Sequence, residues 1–309
     1  MPLRVVSLIP SGTEIVSALG MADTLVGRSH CCDYPPDVED VPVLSRPRVD
    51  PSLSGAEIDR EVREVMASGE SLYEILMERF AEVAPNVVIT QDHCEVCAVS
   101  LSDVEAAVAC GGLTGATVCT LDPHDLDAVM ADVHRVAGAL GVPDRGAAVV
   151  ERMTSRLSAL REATSSADPV RVALIEWLDP PMVAGGWIPE LARMAGLDPV
   201  IVRDASHFVE TDWDGILDEE PDAIVLLPCG FDVPRTLQEL GGSVPAPCAE
   251  RMPPRGIWVV DGDALFNRPG PRLVDSAELL GALFHPTLVP ELDRFVGQYE
   301  KLGMAVSAG

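Results

Sequence analysis

The strongest constraint in this 309-residue sequence is that one order of elements occurs twice. Residues 4–9 have the β-branched character of a buried strand, a loop follows, and a helix from about Gly12 stops at Gly20, where glycine suits a left-handed helix end. Residues 171–176 repeat the strand, a longer loop follows, and a helix from about Pro189 stops at Gly196. A short strand comes next in each half, over residues 24–28 and 199–203. Further on, Ala84-Pro85-Asn86-Val87-Val88-Ile89-Thr90 matches Glu220-Pro221-Asp222-Ala223-Ile224-Val225-Leu226, where proline and Asn or Asp close a helix and open a buried strand. Residues 115–121 and 255–261 supply a fourth strand to each half, each followed by a helix. Strands alternating with helices make an α/β protein with mostly parallel sheets, so the order predicts two similar α/β lobes.

Between the halves, Val149, Val150, Met153, Leu157 and Leu160 recur near a helical period, and Pro143 stands where a helix can start. At about 1.5 Å per residue this helix is roughly 30 Å long. It reads as a surface helix of one domain or as a strut between lobes, and the repeat favours the strut. The stretch Ala163-Thr164-Ser165-Ser166-Ala167-Asp168-Pro169 marks a boundary. The expected division is an N-terminal α/β lobe over residues 1–142, a connecting helix over 143–166 and a C-terminal α/β lobe over 167–309.

Charge narrows the partners. Forty-nine acidic against 22 basic side chains leave a net charge of −27, which repels nucleic-acid phosphates and anionic lipid, and Lys301 is the one lysine. Neither nucleic acid nor a membrane surface is an expected partner. The first ten residues read as a strand, without the charged start and apolar run of an export signal, so a cytoplasmic location is expected. Eight cysteines are too sparse for a disulfide scaffold in so long a chain. In a reducing compartment they read as free thiols or metal ligands.

Ligands of parallel α/β sheets bind outside the carboxyl ends of the strands, so the loops there are the places to search. After the first strand, Ser11 or Thr13 can cap a helix whose free N–H groups also suit an anionic ligand group. The next two strand ends carry Ser29-His30-Cys31-Cys32 and Asp92-His93-Cys94-Glu95-Val96-Cys97. The Cys94-x-x-Cys97 spacing lets two thiolates reach one metal, and sulfur with imidazole suits zinc, copper or iron better than magnesium. The same residues also read as a cleft lining without metal, or as a redox pair. In the second half the loops hold Trp177, Trp187, His207, Cys229 and Phe231, and flat rings at a cleft suit a planar ligand. Hydrolase, P-loop and dinucleotide motifs are absent: no G-x-S-x-G, G-x-x-x-x-G-K-[ST], H-E-x-x-H or G-x-G-x-x-G occurs.

Four segments carry a resemblance: residues 4–14, Gly27-Arg28-Ser29-His30, Asp33-Tyr34-Pro35, and Phe266-Asn267-Arg268-Pro269-Gly270-Pro271-Arg272-Leu273-Val274. Together they resemble the cobalamin-binding substrate-binding proteins of ABC importers, over nearly the whole chain. The resemblance implies the class III, helical-backbone metal-receptor fold: two parallel-sheet α/β lobes joined by one long helix, with the ligand in the cleft between them. It also implies corrinoids, heme or iron chelates as ligands.

The expectation is therefore a cytosolic binding protein that holds cobalamin, another corrinoid or another metal chelate. Its expected ligand contacts are Ser11, Thr13, Tyr34, Trp177, Trp187, His207, Phe231 and Arg268. The expected metal ligands, for zinc, copper or iron, are Cys32, Cys94, Cys97, Cys229 and His30. For a cytosolic protein an importer permease is not an expected partner. The rival is an enzyme on the same scaffold, in which a cysteine or a bound metal acts on a small molecule.

Overall fold

The computed structural model describes residues 2–92, 99–111, 113, 115–202 and 208–303. The backbone divides into two compact units: unit 1 takes residues 1–53 and 57–153, and unit 2 takes residues 54–56 and 154–309.

Unit 1 runs through β1 (Val5–Ser7), α1 (Pro10–Ala18), β2 (Leu25–Arg28), β3 (Ser45–Pro47), α2 (Gly55–Ser68, whose first two residues fall to unit 2), β4 (Tyr73–Ile75), α3 (Met77–Val83), β5 (Val87–Gln91), α4 (Leu101–Cys110), β6 (Thr117–Leu121) and α5 (Leu126–Ala139). Its main sheet has the order β2-β1-β5-β6 with every pair parallel. Each residue of β1 and β5 is buried, which accounts for the apolar Val5-Val6 and Val87-Val88-Ile89, and the polar Ser7, Thr90 and Gln91 fall at their carboxyl ends. Val6 and Val88 pack with Leu8, Phe80 and Val104 in the core. Because β1 has β2 on one side and β5 on the other, the winding reverses there, and the carboxyl ends of these strands form the place where such sheets bind ligands.

The helix α6 (Pro143–Thr164) follows, and the division between the units falls within it. Its buried residues include Val149, Met153, Leu157 and Leu160, one stripe at helical spacing. Among the described residues no helix is long and apolar enough to cross a membrane.

Unit 2 continues with β7 (Val170–Leu178), β8 (Pro181–Ala184), α7 (Ile188–Met194), β9 (Leu197–Pro199), β10 (Phe208–Glu210), α8 (Trp213–Asp218), β11 (Ala223–Leu226), α9 (Val233–Glu239), α10 (Ala246–Glu250), β12 (Ile257–Val260), α11 (Leu273–Phe284) and β13 (Tyr299–Leu302). Its sheet has the order β10-β8-β7-β11-β12-β13, with β9 also on β7. Here the sequence expectation needs correction. The pairs of β7 with β9 and β11, and of β11 with β12, are parallel, but β8, β10 and β13 join antiparallel, so the sheet is mixed. The longer loop expected after β7 contains β8, because the turn at residues 179–180 folds the chain back onto β7. The strand expected over 199–203 lies instead at Leu197–Pro199.

The repeated Pro-Asn and Pro-Asp signatures do the same work in both units. Asn86 Oδ1 accepts the Arg4 N–H at 2.9 Å and Asp222 Oδ2 accepts the Arg171 N–H at 2.9 Å, each fixing the first residues of a central strand. The residue before each proline, Ala84 or Glu220, is left-handed (φ 39° and 49°), which ends the preceding helical turn and redirects the chain.

Candidate functional site

In unit 1 the chain turns from β1 into α1 within three residues. A Cβ on Gly12 would lie 2.7 Å from Ile89 Cγ2 and 2.8 Å from Ser7 Oγ, so glycine allows the first turn of α1 to rest on β1 and β5. Thr13 is buried in that turn, and its hydroxyl donates to Cys32 Sγ at 3.0 Å. Ser29 Oγ lies 3.3 Å from the same sulfur. Ser11 is also buried in this turn, and among the described residues its hydroxyl has no hydrogen-bond partner.

The loop after β2 is organised by Arg28, whose guanidinium donates to the carbonyls of Cys32 (2.7 Å), Glu39 (2.9 Å) and Val41 (3.1 Å). This leaves His30 half-buried beside β3 and β4. Its Nδ1 is 2.9 Å from Ser45 Oγ, and its ring centroid is 5.4 Å from that of Tyr73. Burial lowers the His30 pKa, so the ring is neutral at pH 7. Leu8, Pro10, Ser29, His30, Tyr73 and Val99 line a small recess. Tyr34, further along the loop, is exposed.

In unit 2 the carboxyl ends of β7 and β11 carry a cluster of rings and charges. The rings of Trp177 and Phe231 lie 5.4 Å apart, tilted by 47°. The Arg235 guanidinium carbon is 4.5 Å from the Phe231 ring centre, and Arg235 Nη1 is 3.2 Å from Glu239 Oε2. Trp177 is only half-buried, and its Nε1–H donates to the Asp179 carbonyl at 3.2 Å. Cys229 is exposed next to this cluster in sequence, and its N–H donates to the Glu176 carbonyl at 3.0 Å.

Beside the cluster, where the Asp263 N–H donates to the Phe231 carbonyl at 3.1 Å, lies a partly buried polar layer. Trp187 is turned inward, and its Nε1–H donates to the Phe266 carbonyl at 2.8 Å. Arg268 is buried and pairs with Asp263 at 2.5 Å. Asp261 caps the turn that follows β12 by accepting the Ala264 N–H at 2.8 Å, and burial raises its pKa. A Cβ on Gly262 would stand 2.3 Å from the Pro228 carbonyl oxygen, so glycine is needed where this turn crosses the end of β11.

The structure therefore brings Thr13 and Cys32 together in unit 1, and Trp177 with Phe231 in unit 2. Of the residues expected to share a metal, Cys32 and His30 both lie in unit 1 and have different partners. Cys32 Sγ is enclosed by hydroxyls while His30 Nδ1 turns to Ser45, and among the described residues no three His, Cys, Asp or Glu side chains gather as a metal site. The Arg28 hydrogen bonds fix the loop in which Cys32 and His30 meet these different partners. Cys94, Cys97 and His207 lie outside the described residues. Trp187 and Arg268, expected at the ligand, are buried in the polar layer. Sequence reasoning missed Arg235 and Glu239, whose four-residue spacing on a helix was the available signal.

Comparison with known proteins adds a second line of findings. The model of the periplasmic binding protein family matches residues 5–241. The ABC transporter substrate-binding lipoprotein YvrC of Bacillus subtilis is 25% identical over 299 residues, covering 94% of this chain and 82% of its own. Among solved structures, the periplasmic heme-binding protein RhuT from Roseiflexus sp. RS-1 has 21% identity and a TM-score of 0.67, with 93% of this chain and 100% of that chain covered. A periplasmic heme-binding protein from Pseudomonas aeruginosa has 20% identity and a TM-score of 0.69, with 93% and 94% covered. The periplasmic vitamin B12-binding protein BtuF of Vibrio cholerae has 18% identity and a TM-score of 0.61, with 91% and 95% covered. At these identities the likeness is one of fold.

The cytoplasmic expectation is overturned by these relatives, which are periplasmic proteins and a lipoprotein. The same finding corrects the expectation that an importer permease is no partner. Residues 5–7 form the buried strand β1, so their sequence reports on the sheet and not on the compartment.

Proposed function

Because this chain belongs to the periplasmic binding protein family, with the two-lobed α/β fold of its class III members, we propose that it is the substrate-binding component of an ABC importer and that its ligand is a tetrapyrrole, heme or a corrinoid. A transport permease is then its partner. The observation that carries the ligand reading is the platform in unit 2, where the half-buried Trp177 ring packs at the strand ends on buried Phe231, with Arg235 against Phe231. Stacked rings reward a large flat ligand, and a neighbouring guanidinium suits a ligand with acidic groups at its edge.

The enzyme reading has less support. Burial pushes the thiols of Cys119 and Cys248 up to about 11, which keeps them protonated and poorly nucleophilic, and Cys32 Sγ is enclosed by hydroxyls.

The test is titration of the purified protein with hemin and with cyanocobalamin, followed by absorption spectroscopy. Binding of at least one is expected, and Trp177→Ala should weaken it by about tenfold, the worth of one lost stacking contact. Absence of binding to both compounds would overturn the tetrapyrrole assignment.

A further inference from the structure

Glu239 is the last residue of α9, at the helix end where carbonyls point outward and a carboxylate is repelled. An Arg followed four residues later by Glu is also the weaker orientation for a helical ion pair. The helix thus gains little from Glu239, yet both carboxylate oxygens are engaged. Oε1 accepts the Gly55 N–H at 2.6 Å, and Oε2 faces Arg235 Nη1 at 3.2 Å. The two side chains are only 13% and 21% exposed, so water screens the pair less than it would at the surface.

Each partner of Glu239 in turn touches the aromatic platform. Arg235 lies against Phe231. Gly55 lies so near Trp177 that a Cβ on it would be 3.7 Å from Cζ2 of the indole and 3.1 Å from Glu239 Oε1. One carboxylate therefore ties a cation to one ring and a backbone segment to the other.

We propose that Glu239 is a positioning residue for the platform: its two oxygens hold Arg235 over buried Phe231 and Gly55 against Trp177, and so fix the orientation of the half-buried Trp177 ring that a planar ligand meets. It does not itself contact the ligand. The role in binding rests on the tetrapyrrole reading, whereas the role in holding the platform stands on the ligand-free geometry.

Glu239→Gln and Glu239→Ala separate the contributions, because glutamine keeps an oxygen for the Gly55 N–H and loses only the charge that faces Arg235. Three readouts are compared: hydrogen exchange of the Gly55 amide, acrylamide quenching of Trp177 fluorescence (the difference from Trp177→Phe), and hemin affinity. In Glu239→Ala, Gly55 exchange and Trp177 quenching should both rise, and hemin should bind about tenfold more weakly. In Glu239→Gln, exchange and quenching should stay near wild type and hemin affinity should be intermediate. Unchanged exchange and quenching in Glu239→Ala would overturn the proposal, as would changed exchange and quenching with unaltered hemin affinity. If the wild type binds neither hemin nor cyanocobalamin, the tetrapyrrole reading fails, and the exchange and quenching results still decide whether Glu239 holds the platform.

Discussion

Asp132 shows how a single residue ties stability to the architecture of a binding face. It is buried on α5, accepts the Asp122 N–H at 3.0 Å and pairs with Arg135, which itself donates to the Thr120 carbonyl at 3.1 Å. It therefore holds the turn after β6, one of the strand ends of unit 1. Burial pushes its pKa from 3.8 up to about 6, against the pull of Arg135 and of the Asp122 N–H. The folded state thus binds this proton more tightly than the unfolded chain does. The stabilisation is full below about pH 4 and is lost as pH rises through about 6. Asp132→Asn cannot ionise, so its stability relative to wild type should improve as pH rises from about 4 to about 8, measured by chemical denaturation. A relative stability that stays flat or falls over that range would contradict the raised pKa. Residue types were readable from sequence at this scale but their partners were not. Trp177 and Trp187 stand in adjoining loops of the sequence, yet one presents its ring beside Phe231 and the other bonds inward to a carbonyl 79 positions away.

At the scale of elements, the two units share one device for starting their central strands. Asn86 and Asp222 each accept a backbone N–H at the start of β1 or β7, from Arg4 or Arg171, and each returns its own N–H to the same residue's carbonyl, at 3.0 Å and 2.8 Å. Asn86→Ala and Asp222→Ala should each destabilise the protein by about 1–2 kcal/mol, the cost of leaving a shielded backbone N–H unpaired. Denaturation monitored by hydrogen exchange should place the first loss in β1 and the second in β7. Loss spread evenly over both units would refute the local role. This device was legible because it is written in adjacent residues: a proline after a left-handed residue, then a short polar side chain. The strands β8, β10 and β13 were not legible. They are short and lie outside the central parallel pairs, Pro181 disguises the start of β8, and they become strands by pairing with residues elsewhere in the sheet.

Over the whole molecule, the net charge of −27 sets long-range repulsion against local ion pairs. Arg156 and Arg294 each bind both Asp275 and Glu278 at 2.6–2.7 Å, and salt weakens such attractions. The excess of 27 acidic groups repels across the whole surface and outweighs these local attractions. Raising salt from about 10 mM to about 150 mM, which shortens the screening length from about 30 Å to about 8 Å, should therefore raise Tm. A fall in Tm would show that the ion pairs dominate instead. The amino-acid order alone determined the α/β class and its twofold repetition, because helix periods, strand runs and proline-led turns are set by residues a few positions apart. Only the tertiary structure decided that the second sheet is mixed, that Cys32 is enclosed by hydroxyls, and that Glu239 meets Gly55 across 184 positions. Such partners are chosen by packing between distant segments, for which a linear pattern holds no distance.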